Sequence, residues 1–272
     1  MKRKKIIIAV SLSLVLVILL FNIYFFAIKV PFSSSVYKKS INSIVEIKCI
    51  TEDVAQSYGT AEIISKDGKI ITNRHVVTYI ESNLVTEYEE YYIRFAHEED
   101  YRKATLIYYD TQIDLAMLKI DELPKFDLTP IRFGDSSKIK AGDKVYAIGN
   151  TQKYGISITQ GIISIPLIKI EYEGKTSDTI QCDLTIAEGN SGGALLNDRG
   201  RLIGITTFRT KDSKGQVVYG FAYCIPSNII KEIIKKVTRI SDFKTLVGMN
   251  GLEPSTPTLS GWCSNQLSYI PI

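Results

Sequence analysis

The sequence predicts an all-β body of two small barrels closed by a C-terminal helix, preceded by one transmembrane helix. Three observations predict it. An uncharged apolar run fills residues 6–28, short β-branched segments with turn signals fill 41–226, and one amphipathic stretch follows at 227–238. Composition removes the other classes. The 272 residues are 45% hydrophobic and 23% charged with four cysteines, which excludes disordered, collagenous and disulfide-scaffold chains. The net charge of +4 is unevenly placed. Five bases and no acid lie in residues 1–30, leaving 28 bases against 29 acids elsewhere. A nucleic-acid binder needs bases spread over a folded face, so no nucleic-acid partner is expected.

The basic tip, residues 1–5 (MKRKK), precedes the run from Ile6 to Ile28. Those 23 residues at about 1.5 Å each make roughly 34 Å of helix, enough for a hydrocarbon core of about 30 Å. A cleavable signal peptide also opens on positive charge. Its apolar region is shorter and ends in a small-x-small site, and FFAIKVPF offers none before Lys29. The reading is an uncleaved signal anchor with the tip in the cytoplasm and the body outside. A polar linker, 29–40, follows.

From 41 to 128 the segments SIVEIKC, AEIIS, GKIITN, EYYIRFA, KATLIYYD and DLAMLKI read as strands of a first barrel. LPKFDLTP, with two prolines, marks the boundary. KVYAIGN, ISITQGIIS, LIKIEYE, TIQCDLTI, ALLND, RLIGITTF and VVYGFAYCIP form a second barrel within 129–238. Its closing helix is capped by Ser227 and carries Ile229, Ile230, Ile233, Ile234 and Val237 on one face. The tail, 239–272, has Pro254, Pro257, Pro271 and the single Trp262 without periodicity, and reads as irregular.

Metal and nucleotide chemistry find no motif. The two histidines, His75 and His97, sit in no HExxH or Cys/His cluster, and no GxxxxGK[ST] or GxGxxG loop occurs, so no metal or cofactor is expected. Three other segments matter together: ITNRHVV with His75, IDLAMLKI with Asp114, and EGNSGGALL with Ser191. Alone, each has an ordinary account, as a core histidine, a solvated strand end and a glycine turn. Jointly they supply an acyl-transfer site. Serine attack needs a base that titrates near neutrality, and the imidazole needs a carboxylate to fix its tautomer. The oxyanion needs backbone N–H donors, which glycines can turn toward it.

In that order the residues match the chymotrypsin-like arrangement, and the body resembles the HtrA/Deg branch of the trypsin-like serine proteases. The resemblance rests on GKIITNRHVV (68–77), DLAMLKI (114–120), IRFGDSSKIKAGDKVYAIGN (131–150), SITQGIISI (157–165), IQCDLTIAEGNSGGALLNDRGRLIGITT (180–207) and CIPSNII (224–230). It implies a chymotrypsin-like double β-barrel, with His75 as general base, Asp114 as its orienter and Ser191 as nucleophile. The N–H groups of Gly189 and Ser191, with Asn190, would form the oxyanion hole. Ile186 and Ala222 would border the specificity pocket and favour a small or medium aliphatic side chain, though Ile186 equally suits plain barrel packing. The chain departs from the family at Gly59-Thr60-Ala61-Glu62 and at Ala222-Tyr223-Cys224-Ile225-Pro226. The 34 residues after Thr238 are too few for a PDZ domain.

The resemblance implies a serine endopeptidase acting on misfolded or exported proteins outside a bacterial cytoplasm, single-pass in the membrane, and a homo-trimer. Two readings stay open beside it: a proteolytically weak chaperone or sensor, and a narrow regulatory protease. Cys182 and Cys224 fall on strands the family fold places near each other, where either a bridge or buried free thiols would fit.

Overall fold

In the computed structural model residues 2–29, 33–151, 154–172, 175–211 and 217–248 are described. In chain order the elements are α1 (Lys2–Lys29), α2 (Ser33–Ser40), β1 (Ile44–Thr51), β2 (Ala55–Ile63), β3 (Lys69–Asn73), α3 (Arg74–Val77), β4 (Thr78–Glu81), β5 (Leu84–Glu87), β6 (Glu90–Phe95), β7 (Arg102–Asp110) and β8 (Leu115–Ile120). Then follow β9 (Lys144–Asn150), β10 (Ile156–Tyr172), β11 (Lys175–Asp183), β12 (Ala194–Asn197), β13 (Leu202–Lys211), β14 (Val217–Pro226) and α4 (Ser227–Gly248). One closed antiparallel barrel runs β1-β2-β3-β8-β7-β6 and a second runs β10-β11-β14-β13-β12-β9. The pair β4-β5 forms a separate ribbon.

Alternation along each strand sorts side chains between two environments. In β1, Val45, Ile47 and Cys49 fill the first barrel with Ile63, Ile70, Ile93 and Leu118. Ile44, at the start of β1 and on its opposite face, points outward into an apolar layer shared with Ile71 and Met117 of the same barrel and Tyr146, Ile148 and Leu196 of the other. Val145, Ile163, Ile180, Leu195 and Ile203 fill the second barrel. Each barrel therefore buries its interior and one outer flank, and the shared layer fixes one barrel against the other.

Glu62 breaks this pattern. It lies on the outer flank of β2, opposite Ile44 of β1 and Ile71 of β3. Its exposure is 0%, and neither carboxylate oxygen has a hydrogen-bond partner among the described residues. Burial pushes its carboxyl well above the ordinary carboxylate range.

Two expected boundaries change. The segment expected as a polar linker contains α2, which seats Val36 in the inter-barrel layer at 1% exposure. Ser33 Oγ also donates to Gln160 Oε1 at 2.8 Å. Burial of Val36 and Ser40, with Tyr37 packed against the same layer and Lys38 and Lys39 on the polar side, orders a segment whose composition reads as linker. The closing helix α4 runs to Gly248, ten residues past Thr238. Ile240, Phe243 and Leu246 continue the helical spacing, and Gly248 is a natural stop. The rest of the expected tail, with Trp262 and Cys263, lies outside the described residues.

α1 is helical throughout, and its described large apolar side chains, from Ile6 to Tyr24, are all more than half exposed. Among the described residues no helix is long and apolar enough to cross a membrane.

Candidate active site

The site lies where loops of both barrels meet. β3 ends at Asn73 and the chain turns through α3, which places His75 at the rim of the first barrel with 38% of its side chain exposed. Asp114 occupies the turn between β7 and β8 at φ +55°, a left-handed conformation that Asp tolerates better than most residues. Its carboxylate takes His75 at two points. The His75 backbone N–H donates to Oδ1 at 3.0 Å, and Nδ1 lies 2.7 Å from Oδ2. A carboxylate accepts only, so the ring proton sits on Nδ1 and Nε2 is left as an acceptor facing away.

The second barrel contributes to the same carboxylate. Thr207 Oγ1, on β13, donates to Asp114 Oδ2 at 2.7 Å, and Arg74 Nε stands 3.6 Å from Oδ1. Burial alone would raise this carboxyl. Attraction to His75 when its ring is protonated, with the hydrogen bonds from His75 and Thr207, outweighs it and holds the group below its ordinary range. Asn73 closes the arrangement. Its Nδ2 donates to the Asp114 carbonyl at 3.1 Å, and its Oδ1 accepts the Gly192 N–H at 2.6 Å, so one buried amide spans from the carboxylate turn to the serine turn.

Ser191 follows a tight turn between β11 and β12. The Asn190 N–H donates to the Ala187 carbonyl at 3.1 Å, with Gly189 at φ +90° as the third residue, the pattern of a type II turn. Gly192, at φ +80°, passes so close to the first barrel that a Cβ would overlap the Thr60 carbonyl and the Thr72 hydroxyl. Thr60 fastens the turn from the other side: its N–H donates to the Ser191 carbonyl at 2.9 Å and its hydroxyl to the Gly189 carbonyl at 2.8 Å. The N–H groups of Gly189 and Ser191 have no acceptor among the described residues. The Ser191 hydroxyl donates to the Thr207 carbonyl at 3.3 Å, a long bond, with no described bond to His75.

His75, Asp114 and Ser191 are thus tied into one network by Thr207 and Asn73. Gly189 and Ser191 offer unoccupied donors, whereas the Asn190 N–H is spent on the turn and cannot serve as a third. Ile186 and Ala222 are both buried, at 7% and 0%, and belong to the interior cluster of the second barrel. Barrel packing accounts for them without a pocket. Cys49, Cys182 and Cys224 are buried free thiols. Cys182 and Cys224 are diagonal neighbours across β11 and β14, and the contact with Cys182, together with burial, pushes the Cys224 thiol well up. Sequence reasoning missed Thr207, Asn73 and Thr60. Asn73, two residues before His75, had a positional signal; Thr207 and Thr60 had none.

Comparison with known proteins agrees with this geometry. The trypsin-like peptidase domain profile matches residues 59–205. Serine endoprotease DegS of Haemophilus influenzae is 31% identical over 224 residues, covering 82% of this chain and 62% of that protein. The serine protease Do-like HtrA of Lactobacillus helveticus is 35% identical over 195 residues, covering 68% and 45%. Among solved structures, the HtrA-type protease AlgW with tripeptide superposes with a TM-score of 0.65 at 30% identity, covering 76% of this chain and 64% of that one. The chain spans less than two thirds of the length of these relatives. Over the extent of its two barrels, it belongs to the trypsin-like peptidases, in their HtrA-type branch.

Proposed function

We propose that the protein is a serine endopeptidase that works outside the cytoplasm on misfolded or exported proteins, held at the membrane by α1. The carrying observation is the His75–Asp114 pair at 2.7 Å, presented beside Ser191 and its unoccupied N–H donors. Asp114 holds the Nδ1–H tautomer, so Nε2 is free to take the Ser191 proton once the hydroxyl rotates from the Thr207 carbonyl. The serine oxygen then attacks the scissile carbonyl, and the Gly189 and Ser191 N–H groups stabilise the oxyanion. His75 protonates the leaving amine. Water activated by the same imidazole resolves the acyl-enzyme.

The test is hydrolysis of unfolded casein by the purified protein against Ser191→Ala. Loss of on the order of a million-fold in turnover is expected from other triad enzymes, and equal rates would sink the assignment. One observation favours a second reading, a proteolytically weak chaperone or sensor: the Ser191 hydroxyl is turned to the Thr207 carbonyl. A fluorophosphonate probe decides between them, because only an activated serine is labelled. For the anchor, the support is a helix of 28 residues whose described apolar side chains are all exposed. Release of the full chain from membranes by alkaline carbonate would contradict it.

A further inference from the structure

The longest strand of the fold does more than close a barrel. β10 pairs with β9 only over Ile156–Ile162, and β11 pairs with β14 only over Ile180–Cys182. Beyond those stretches, from Ile168 opposite Thr179 to Tyr172 opposite Lys175, the two strands pair with each other alone among the described pairings. They form a two-stranded ribbon that leaves the second barrel, and such a ribbon is marginal unless it docks. It docks on the first barrel. Lys175 Nζ donates to the Thr111 carbonyl at 2.6 Å, and Ser177 Oγ donates to the Gln112 carbonyl at 3.2 Å. Ile170, Lys175 and Ser177 line a small cleft together with Gln112, His75 and Asp114.

These two carbonyls belong to the four-residue turn, 111–114, that carries the carboxylate. The turn is gripped from its other side as well: Asp110 Oδ1 accepts the N–H groups of Gln112 and Ile113 at 2.8 and 3.1 Å. Asp110 therefore holds the donors and the ribbon holds the acceptors. The residue between those grips and β8 is Asp114, at φ +55°. A non-glycine residue in that region is strained and persists where its surroundings over-determine it. We propose that the β10–β11 ribbon braces the 111–114 turn, with Lys175 and Ser177 as positioning residues that set the Asp114 carboxylate against His75. An ammonium donor suits this task, since charged donors make the stronger hydrogen bonds. The brace rests on the role proposed above for Asp114.

The experiment compares the full-length parent with Lys175→Met/Ser177→Ala and with Lys175→Arg. Peptide hydrolysis gives kcat and KM separately. The downfield proton NMR resonance of the His75 Nδ1–H reports the bond to Asp114 directly. The chain has only two histidines, so His97→Gln assigns the signal. The double variant should lose about tenfold in kcat, the expectation for two ordinary hydrogen bonds acting through a turn, with KM within about twofold. Its downfield resonance should weaken or vanish, and Lys175→Arg should retain both kcat and signal. An unchanged resonance in the double variant overturns the brace, whatever happens to kcat. A loss confined to KM also overturns it. If the parent neither hydrolyses peptide nor reacts with a fluorophosphonate, the proposed function falls, and the resonance alone still decides the brace.

Discussion

Replacing Glu62 by methionine should stabilise the protein, and the gain should grow with pH. The parent residue is fully buried on the outer flank of β2, between Ile44 and Ile71, with no partner for either oxygen among the described residues. Leaving such a group unpaired costs about 1–3 kcal/mol even when it is neutral. Its folded carboxyl titrates well above the ordinary range because of burial. The folded state therefore keeps a proton that the unfolded chain releases near pH 4.3, and stability falls as pH rises through that window. Each pH unit between the unfolded and folded values costs about 1.4 kcal/mol. For a body of this size each such unit is roughly 3–6 °C in Tm. The measurement is Tm of parent and Glu62→Met from pH 4 to pH 8 by circular dichroism. Every other titrating group is common to both, so the difference isolates Glu62. Parallel curves, or a variant that melts lower at pH 7, would refute the reasoning.

The remaining predictions concern the site and the thiols. Thr207→Val removes a donor from a carboxylate and should lower kcat about tenfold or more with little change in KM; steady-state kinetics on a peptide substrate checks it. Gly192→Ala must place a Cβ against the Thr60 carbonyl and the Thr72 hydroxyl at φ +80°, so a drop in Tm and loss of fluorophosphonate labelling are expected together. Asp114 is held below its ordinary range, so its stabilisation is complete above the unfolded value of about 3.9 and is lost as pH falls through the folded one. Asp114→Asn should accordingly show a shallower fall in Tm below pH 4 than the parent. Cys49, Cys182 and Cys224 should resist alkylation in the native protein and react on unfolding without reduction, as read by intact mass. Protection that persists in denaturant until a reductant is added would show a bridge.

Much of the site was legible because its chemistry is local. A histidine after a strand, an aspartate before one and a serine among glycines keep their order and their flanking residues in the primary structure. What was not legible depends on the second barrel. Thr207 sits mid-strand in ITTF, and nothing nearby distinguishes it from Thr206, which bonds elsewhere. Period-two alternation places Glu62 on an outer flank, where a carboxylate ordinarily meets water. Only the packing of one barrel on the other reveals that this flank is covered. The same covering converts the SSSVYKKS segment from apparent linker to helix, through the burial of Val36. Asn190 shows the converse: the resemblance implies an oxyanion donor there, but its N–H is bonded to the Ala187 carbonyl within the turn.

The seat of Val36 also bears on where a peptidase held by α1 would cut. Only residues 30–32 separate α1 from α2, so Lys29 and Ser33 are four Cα steps apart, at most about 15 Å. α2 is fastened to both barrels through the layer that contains Val36. With α1 in a bilayer, this short tether would keep α2, and the body fastened to it, close to the lipid. Such a tether would act as a ruler. The body would reach peptide bonds within a narrow band beside the membrane, and chains farther out would have to diffuse inward to be cut. Lengthening the 30–32 segment with glycine and serine should widen that band without altering the chemistry at Ser191.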